Sequence, residues 1–353
     1  VASDNKNLYR RIRTVTVLGV LLIALLLLLQ KETKPLSEVD VETPAGITHI
    51  RSIYGVKAGD NFDKPESVGI DKDGNLYVAD TGNHRIAVFD KSGEYIRHFG
   101  DRKTVPYPLS IAISKSGRMY VTSLMMQRLT ILDKNGKVKK KMQFKKKDEI
   151  PLRVTLHKGK MYMTTVGKIM IGDMDGNIEK RLAKEGRALG MLEYPNGIAV
   201  TKVGKLKEAI VISDSNNNRI QVFRMNGKPY AYLGRPPKSL KDKGLLFGLP
   251  TGLTIDQEGR VFVMDSLNHT VRIFNNAGDD LGELGKQGSS DGFFFYPTDI
   301  QHMSGKRFVI TDKWNDRAQI VDLTLSETKK VKAPPKKKKF IWWNPLSWRN
   351  YGN

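Results

Sequence analysis

From residue 44 onward the chain repeats itself, and that repetition constrains its fold more than any other feature. The fullest copy is KPESVGIDKDGNLYVADTGNHRIAVFDKSGEYIRHFG, Lys64 to Gly100. Prolines open successive copies at Pro65, Pro108, Pro151, Pro195, Pro250 and Pro297, with gaps of 43, 43, 44, 55 and 47 residues. A period in this range belongs to arrays of one supersecondary unit, each too small to bury its own apolar surface.

Within a unit, short apolar stretches alternate with Gly, Asn and Asp turns, the pattern of strands joined by hairpins. In the first copy the strands are expected at Ser67–Asp71, Asn75–Asp80, Arg85–Asp90 and Glu94–Phe99, with turns at Asp73-Gly74 and Ser92-Gly93. Apolar residues point to both faces of such a sheet, Leu76 and Val78 on one, Tyr77 and Ala79 on the other. Sheets of this kind must be stacked around an axis, and six of them make a six-bladed β-propeller. The sixth unit supplies only three strands before the chain turns basic near Lys329, whereas ITHIRSIYG, Ile47–Gly55, matches a fourth strand and its closing glycine. The N-terminal strand is therefore expected to complete the last blade, removing the open edges of a linear array. The fold class is all-β, with the propeller over residues 47–328.

Three segments carry a family likeness: ADTGNHRIAVFDKSG from Ala79, ISDSNNNRIQVFRMNG from Ile212 and FVMDSLNHTVRIFNNAG from Phe262. With the linkers bearing Gly55, Gly59, Phe62 and Pro65, or Gly285, Gly288, Gly292, Phe295 and Pro297, they resemble the NHL-repeat family of six-bladed propellers. Four of the six units match well; unit two has Ser123 where others have Asp80, Asp214, Asp265 and Asp312, and the third hairpin, around Val166 and Gly167, is shorter.

The recurring Asp-x-x-Asn-x-Arg (Asp80, Asn83, Arg85; Asp214, Asn217, Arg219; Asp312, Asn315, Arg317) sets an acid against an arginine across a hairpin, where they are expected to pair bidentately. Repetition argues for a structural role, since catalysis needs such a group once. Unit five has Thr270 in the arginine place. Enzymes of similar fold include zinc-dependent amidating lyases and metal-dependent lactone hydrolases, so the resemblance implies, as the alternative function, a metal-dependent lyase or hydrolase acting at the propeller axis. Such a site needs convergent histidines. His49, His84, His98, His157, His269 and His302 form no repeated axial set. No catalytic residue, cofactor or metal ligand is therefore assigned. With no cysteine in the chain, disulfides, thiolate metal sites and a cysteine nucleophile are excluded.

Thr14–Gln30, TVTVLGVLLIALLLLLQ, is an uncharged run flanked by Arg10, Arg11 and Arg13 before it and by Lys31, Glu32 and Lys34 after it. It predicts a transmembrane helix at 14–30 acting as an uncleaved signal anchor, with residues 1–13 in the cytoplasm, a linker at 31–46 and the propeller in the periplasm. Localisation at a bacterial inner membrane follows as an expectation.

The formal net charge is +22, of which residues 1–35 hold +4 and the segment from Ser326 holds +7. Part of the remainder is concentrated at Lys139, Lys140, Lys141, Lys145, Lys146 and Lys147, a basic patch placed on the rim of blade two. An acidic partner or lipid head groups would suit it. RNA binding, known in the NHL family, would suit it too, but an external propeller argues against nucleic acid. The tail at 329–353 adds four lysines, Lys336–Lys339, and then Phe340, Ile341, Trp342, Trp343, Leu346 and Trp348, residues of the kind that anchor partner proteins or lie at a membrane interface with anionic lipid. The expected function is a non-catalytic, membrane-anchored protein-interaction scaffold within a multi-protein complex of envelope proteins.

Overall fold

The computed structural model describes residues 46–233 and 247–325. The anchor run at 14–30 and the aromatic tail lie outside the described residues. No helix among the described residues is long and apolar enough to cross a membrane.

Six antiparallel four-stranded sheets make the blades. In blade 1 the strands are Pro65–Ile70, Leu76–Asp80, Arg85–Phe89 and Tyr95–Phe99. In blade 6, strands Pro297–Ser304, Arg307–Asp312 and Arg317–Leu323 are joined by Ile47–Ile53, which runs antiparallel along Arg317–Leu323. Both the blade count and the closure read from the sequence are present. The first strands of successive blades neighbour one another in a closed ring, so they line the axis. Between blades lie apolar clusters drawn from the facing sheets. Leu76, Val78, Ala87 and Phe89 of blade 1 meet Val309, Ala318 and Ile320 of blade 6 in one of them, while Tyr77, Ala79, Ile86 and Val88 meet Ile111, Met119 and Val121 of blade 2 in the next. Burying both faces of each sheet in this way supplies the apolar stabilisation that a single blade lacks.

The two faces of the disc differ. Pro65 is paired with Asp80 and Asp80 with Arg85, so the opening prolines, the turn between second and third strands and the linkers between blades share one face, called the linker face here. The opposite face carries the other two turns of each blade. Both ends of the described propeller are on that opposite face, side by side: Thr324 N donates to Gly46 O at 2.7 Å.

Candidate functional site

At the linker face each blade is built from the repeat motif. Asp312 accepts from Phe295 N at 2.6 Å, Asn315 Nδ2 at 2.8 Å, Arg317 Nε at 2.8 Å and Gln319 Nε2 at 3.1 Å. Asp214 has the same set, from Glu193 N, Asn217 Nδ2, Arg219 Nε and Gln221 Nε2. The bidentate fork expected from sequence does not form. The arginines reach their aspartates through Nε alone, because a backbone N–H and the Asn amide occupy the other acceptor positions, and Arg317 Nη2 turns away to Ser290 O and Phe293 O. Burial pushes the carboxyls of Asp80, Asp214 and Asp312 up, and these donors oppose it. Every one of these contacts lies within a hairpin or between it and the preceding linker, which makes the motif a brace. Blades are also clasped to one another: the hydroxyls of Thr81, Thr164, Ser215 and Ser266 donate to the carbonyls of Pro108, Pro195, Pro250 and Pro297 at 2.5–2.8 Å. At the closure seam Lys313 stands where Thr81, Ser215 and Ser266 stand in blades 1, 4 and 5, and pairs instead with Glu66 at 2.5 Å.

The axis holds two charged residues that the sequence reading missed. Two residues after each opening proline stand Ser67, Ser110, Arg153, Gly197, Gly252 and Asp299. Arg153 is 5% exposed, and its guanidinium donates to four backbone carbonyls: Asn196 O at 3.0 Å, Glu66 O at 3.2 Å, Leu109 O at 3.0 Å and Thr298 O at 3.4 Å. One side chain from blade 3 thus ties the starts of blades 1, 2, 4 and 6. Asp299, from blade 6, accepts from Ser67 Oγ at 2.6 Å, Val68 N at 3.2 Å and Ile300 N at 2.9 Å. Burial pushes its carboxyl up, with Arg153 opposing. Both residues line an axial cavity of about 210 Å³ whose other walls mix small residues, among them Ser110, Thr155, Gly197 and Thr254, with aliphatic ones such as Ile198 and Leu253. Gly252 is required there, because a Cβ would lie 2.2 Å from Asp299 Oδ1.

This donor set does not suit a metal ion. It offers one carboxylate already holding three donors, beside a resident guanidinium. The histidines are engaged elsewhere: Tyr107 N and Tyr296 N donate to Nδ1 of His84 and His269, His98 pairs with Tyr95 Oη, and His157 with Glu208. His49 contacts Ser52 Oγ, and His302 contacts Gly305 O. Among the described residues no group of three or more His, Asp or Glu could hold a metal.

The predicted basic patch falls into two parts. Lys139, Lys140 and Lys141 lie on the outer strand of blade 2, Val138–Gln143. Lys140 Nζ reaches the neighbouring blade at Asp175 O and Asn177 Oδ1, and Lys141 Nζ caps Lys103 O. Lys145, Lys146 and Lys147 follow that strand onto the linker face and are exposed. The tail residues Phe340, Ile341, Trp342, Trp343, Leu346 and Trp348 lie outside the described residues.

The linker face also carries the three most exposed large apolar side chains among the described residues: Met125 at 67%, Trp314 at 59% and Leu267 at 55%. All three occupy one repeat position, the second residue after the motif acid or its substitute, where unit one has Gly82 and unit four Asn216. Trp314 packs edge-on against Phe295, with ring centroids 5.5 Å apart, so it is propped outward.

A disc of six four-stranded blades around an axis, closed by its N-terminal strand, defines a six-bladed β-propeller. Two segments of it, residues 62–89 and 247–274, match the NHL-repeat family model. The chain is 42% identical over 48 residues to the Drosophila melanogaster protein brain tumor, a stretch that is 14% of this chain and 4% of that protein. Solved structures with the same fold include a protein of unknown function from Bacteroides thetaiotaomicron, with a TM-score of 0.59 and 14% identity over 78% of this chain and 75% of that one. A gluconolactonase from Xanthomonas campestris aligns with a TM-score of 0.56 and 13% identity over 83% and 99% of the two chains. A virginiamycin B lyase from Staphylococcus aureus, bound to quinupristin, aligns at 0.54 and 16% over 75% and 82%. At these identities the likeness is one of fold.

Proposed function

We propose that this propeller is a non-catalytic binding scaffold, anchored to a bacterial inner membrane by the apolar run at 14–30, with its blades in the periplasm and its linker face turned to a partner protein of the envelope. The observation that carries this reading is the placement of Met125, Leu267 and Trp314 at one repeat position on one face, each more than half exposed. Exposed apolar tips of this size mark contact surfaces, and Trp is a frequent anchor in them. Neither end of the described propeller is on that face. The axis supports the same reading, because Arg153 spends its donors on backbone carbonyls and the axial residues do not suit the metal that the alternative, a lyase or hydrolase, requires. The aromatic tail from Phe340 to Trp348 is proposed as a second contact, with a partner or with anionic lipid.

The test is purification from native membranes of wild-type protein and of a variant carrying Met125→Ser, Leu267→Ser and Trp314→Ser. Co-purifying proteins should be retained by the first and lost from the second while the propeller stays folded. Equal recovery would refute the linker face as the contact surface.

A further inference from the structure

Blade 2 breaks the brace on the linker face in a coordinated way. Its motif acid is Ser123, its motif amide is Met126, and two residues before its opening proline stands Pro106, which has no N–H to offer a carboxylate. The arginine is nevertheless kept. Arg128 sits opposite Ser123 in the same register as Arg85 opposite Asp80. Elsewhere the charge is matched: Arg85 pairs with Asp80 and Asp60, Arg219 with Asp214 and Arg317 with Asp312, while blade 3 substitutes Lys168 between Asp148 and Glu149. Among the described residues no carboxylate pairs with Arg128. Its Nη2 donates to Lys103 O and Thr104 O at 3.4 and 2.9 Å, and its buried Nε has no partner. Burial pushes this guanidinium down with nothing to offset it.

Directly beside it the turn exposes Leu124, Met125 and Met126, at 36%, 67% and 40%. Arg102, Lys103 and Lys145–Lys147 are exposed around that turn. The local acids are already used. Asp101 is held by Thr104 and Lys103 N, and Lys168 lies between Asp148 and Glu149. Glu149 and Glu185 stand only 4.0 and 3.9 Å from Lys146 and Lys147.

We infer that blade 2 receives an acidic, apolar-interrupted segment of a partner protein, one carboxylate seating on Arg128 where the other blades supply their own, and adjacent apolar side chains covering Leu124–Met126. The inference rests on the scaffold reading and names the partner's chemistry. A carboxylate side chain suits it better than a lipid or nucleic-acid phosphate, because Arg85, Arg219 and Arg317, which hold the same place in other blades, each pair with one. A phosphate-bearing surface would be held mainly by the surrounding lysines.

The experiment pans a random 12-residue peptide display library on the full-length protein in detergent, then measures selected peptides by fluorescence anisotropy. Enriched peptides should carry Asp or Glu next to Leu, Phe or Met. Arg128→Gln, and separately Gln in place of the peptide acid, should each weaken binding by about tenfold or more, in line with removing one partner of a desolvated charge pair. Leu124→Ser with Met125→Ser, away from the guanidinium, should weaken it as well and covers the case of an Arg128 variant that fails to fold. Failure to enrich acidic peptides, or affinity indifferent to Arg128, overturns the inference. So does binding of phosphatidylglycerol vesicles or single-stranded RNA that competes with the peptides and ignores Arg128→Gln. A native partner lost with Met125, Leu267 and Trp314 but kept by Arg128→Gln would remove this inference and leave the scaffold reading standing.

Discussion

Placing an aspartate at position 123 asks whether the brace works by donor count or by charge alone. In blade 4 the buried Asp214 receives four donors, from Glu193 N, Asn217 Nδ2, Arg219 Nε and Gln221 Nε2, at 2.7–2.9 Å. The corresponding places in blade 2 are Pro106, Met126, Arg128 and Thr130, so a Ser123→Asp carboxylate lacks the linker N–H and the side-chain amide and is left with the guanidinium, the shorter Thr130 hydroxyl and the Met126 N–H that Ser123 Oγ accepts from at 3.3 Å. A hydrogen bond to a charged group contributes about 1.5–3 kcal/mol, while burying an ion costs several kcal/mol. The single substitution should therefore destabilise the propeller by about 2 kcal/mol, which for a domain of this size lowers Tm by roughly 5 °C. Adding Pro106→Ala and Met126→Asn supplies a backbone N–H and an amide, and should recover about 3 kcal/mol, less some 0.5 kcal/mol for the freer unfolded chain. Urea unfolding of wild type, single, double and triple variants gives the coupling directly. A Ser123→Asp protein more stable than wild type would refute the argument, since it would mean that the linker N–H and the amide are not needed. In the triple variant the new carboxylate should also occupy Arg128 and compete with the proposed acidic ligand.

Arg153→Leu removes the side chain that ties four blades and should lower stability by about 3–5 kcal/mol, with Tm falling by roughly 10 °C in calorimetry; an unchanged Tm would mean that the axial bonds contribute nothing. Ser266→Ala cuts one interblade clasp and should cost about 1 kcal/mol in the same assay. Burial raises the Glu149 carboxyl, but Lys168, Arg181 and Lys146 together hold it below its ordinary value of 4.5. Its stabilisation is accordingly present above pH 4.5 and lost as pH falls through the lower folded value. Glu149→Gln should be less stable than wild type at pH 7, with the difference closing below pH 4.5; a gap that widens toward acid would reverse the sign.

The repeat made the architecture legible, since spacing, turn chemistry and a missing sixth-unit strand together require a closed ring of blades. The structural role of the Asp-Asn-Arg motif was legible too, because a brace needed in every blade must recur. Its geometry was not: sequence gives the partners, and the linker backbone N–H that displaces the bidentate fork comes from residues about 17–21 positions away. Arg153 and Asp299 escaped because they break no periodicity and acquire meaning only when six first strands converge. The position two residues after each proline carried the signal, as four small residues and two opposite charges. Met125, Leu267 and Trp314 could have been found by aligning the turns. The coupled loss of Asp at 123 and of an N–H at 106 needed the hydrogen-bond pattern of the other blades before it could be seen.

The most direct test of the scaffold account is photo-crosslinking in living cells, with a benzophenone side chain placed singly at Met125, Leu267 or Trp314 on the linker face and at Lys91 on the opposite face. The account predicts discrete protein-sized adducts from the first three positions and none from Lys91. Adducts confined to Lys91, or absent from all three linker-face positions, would contradict it.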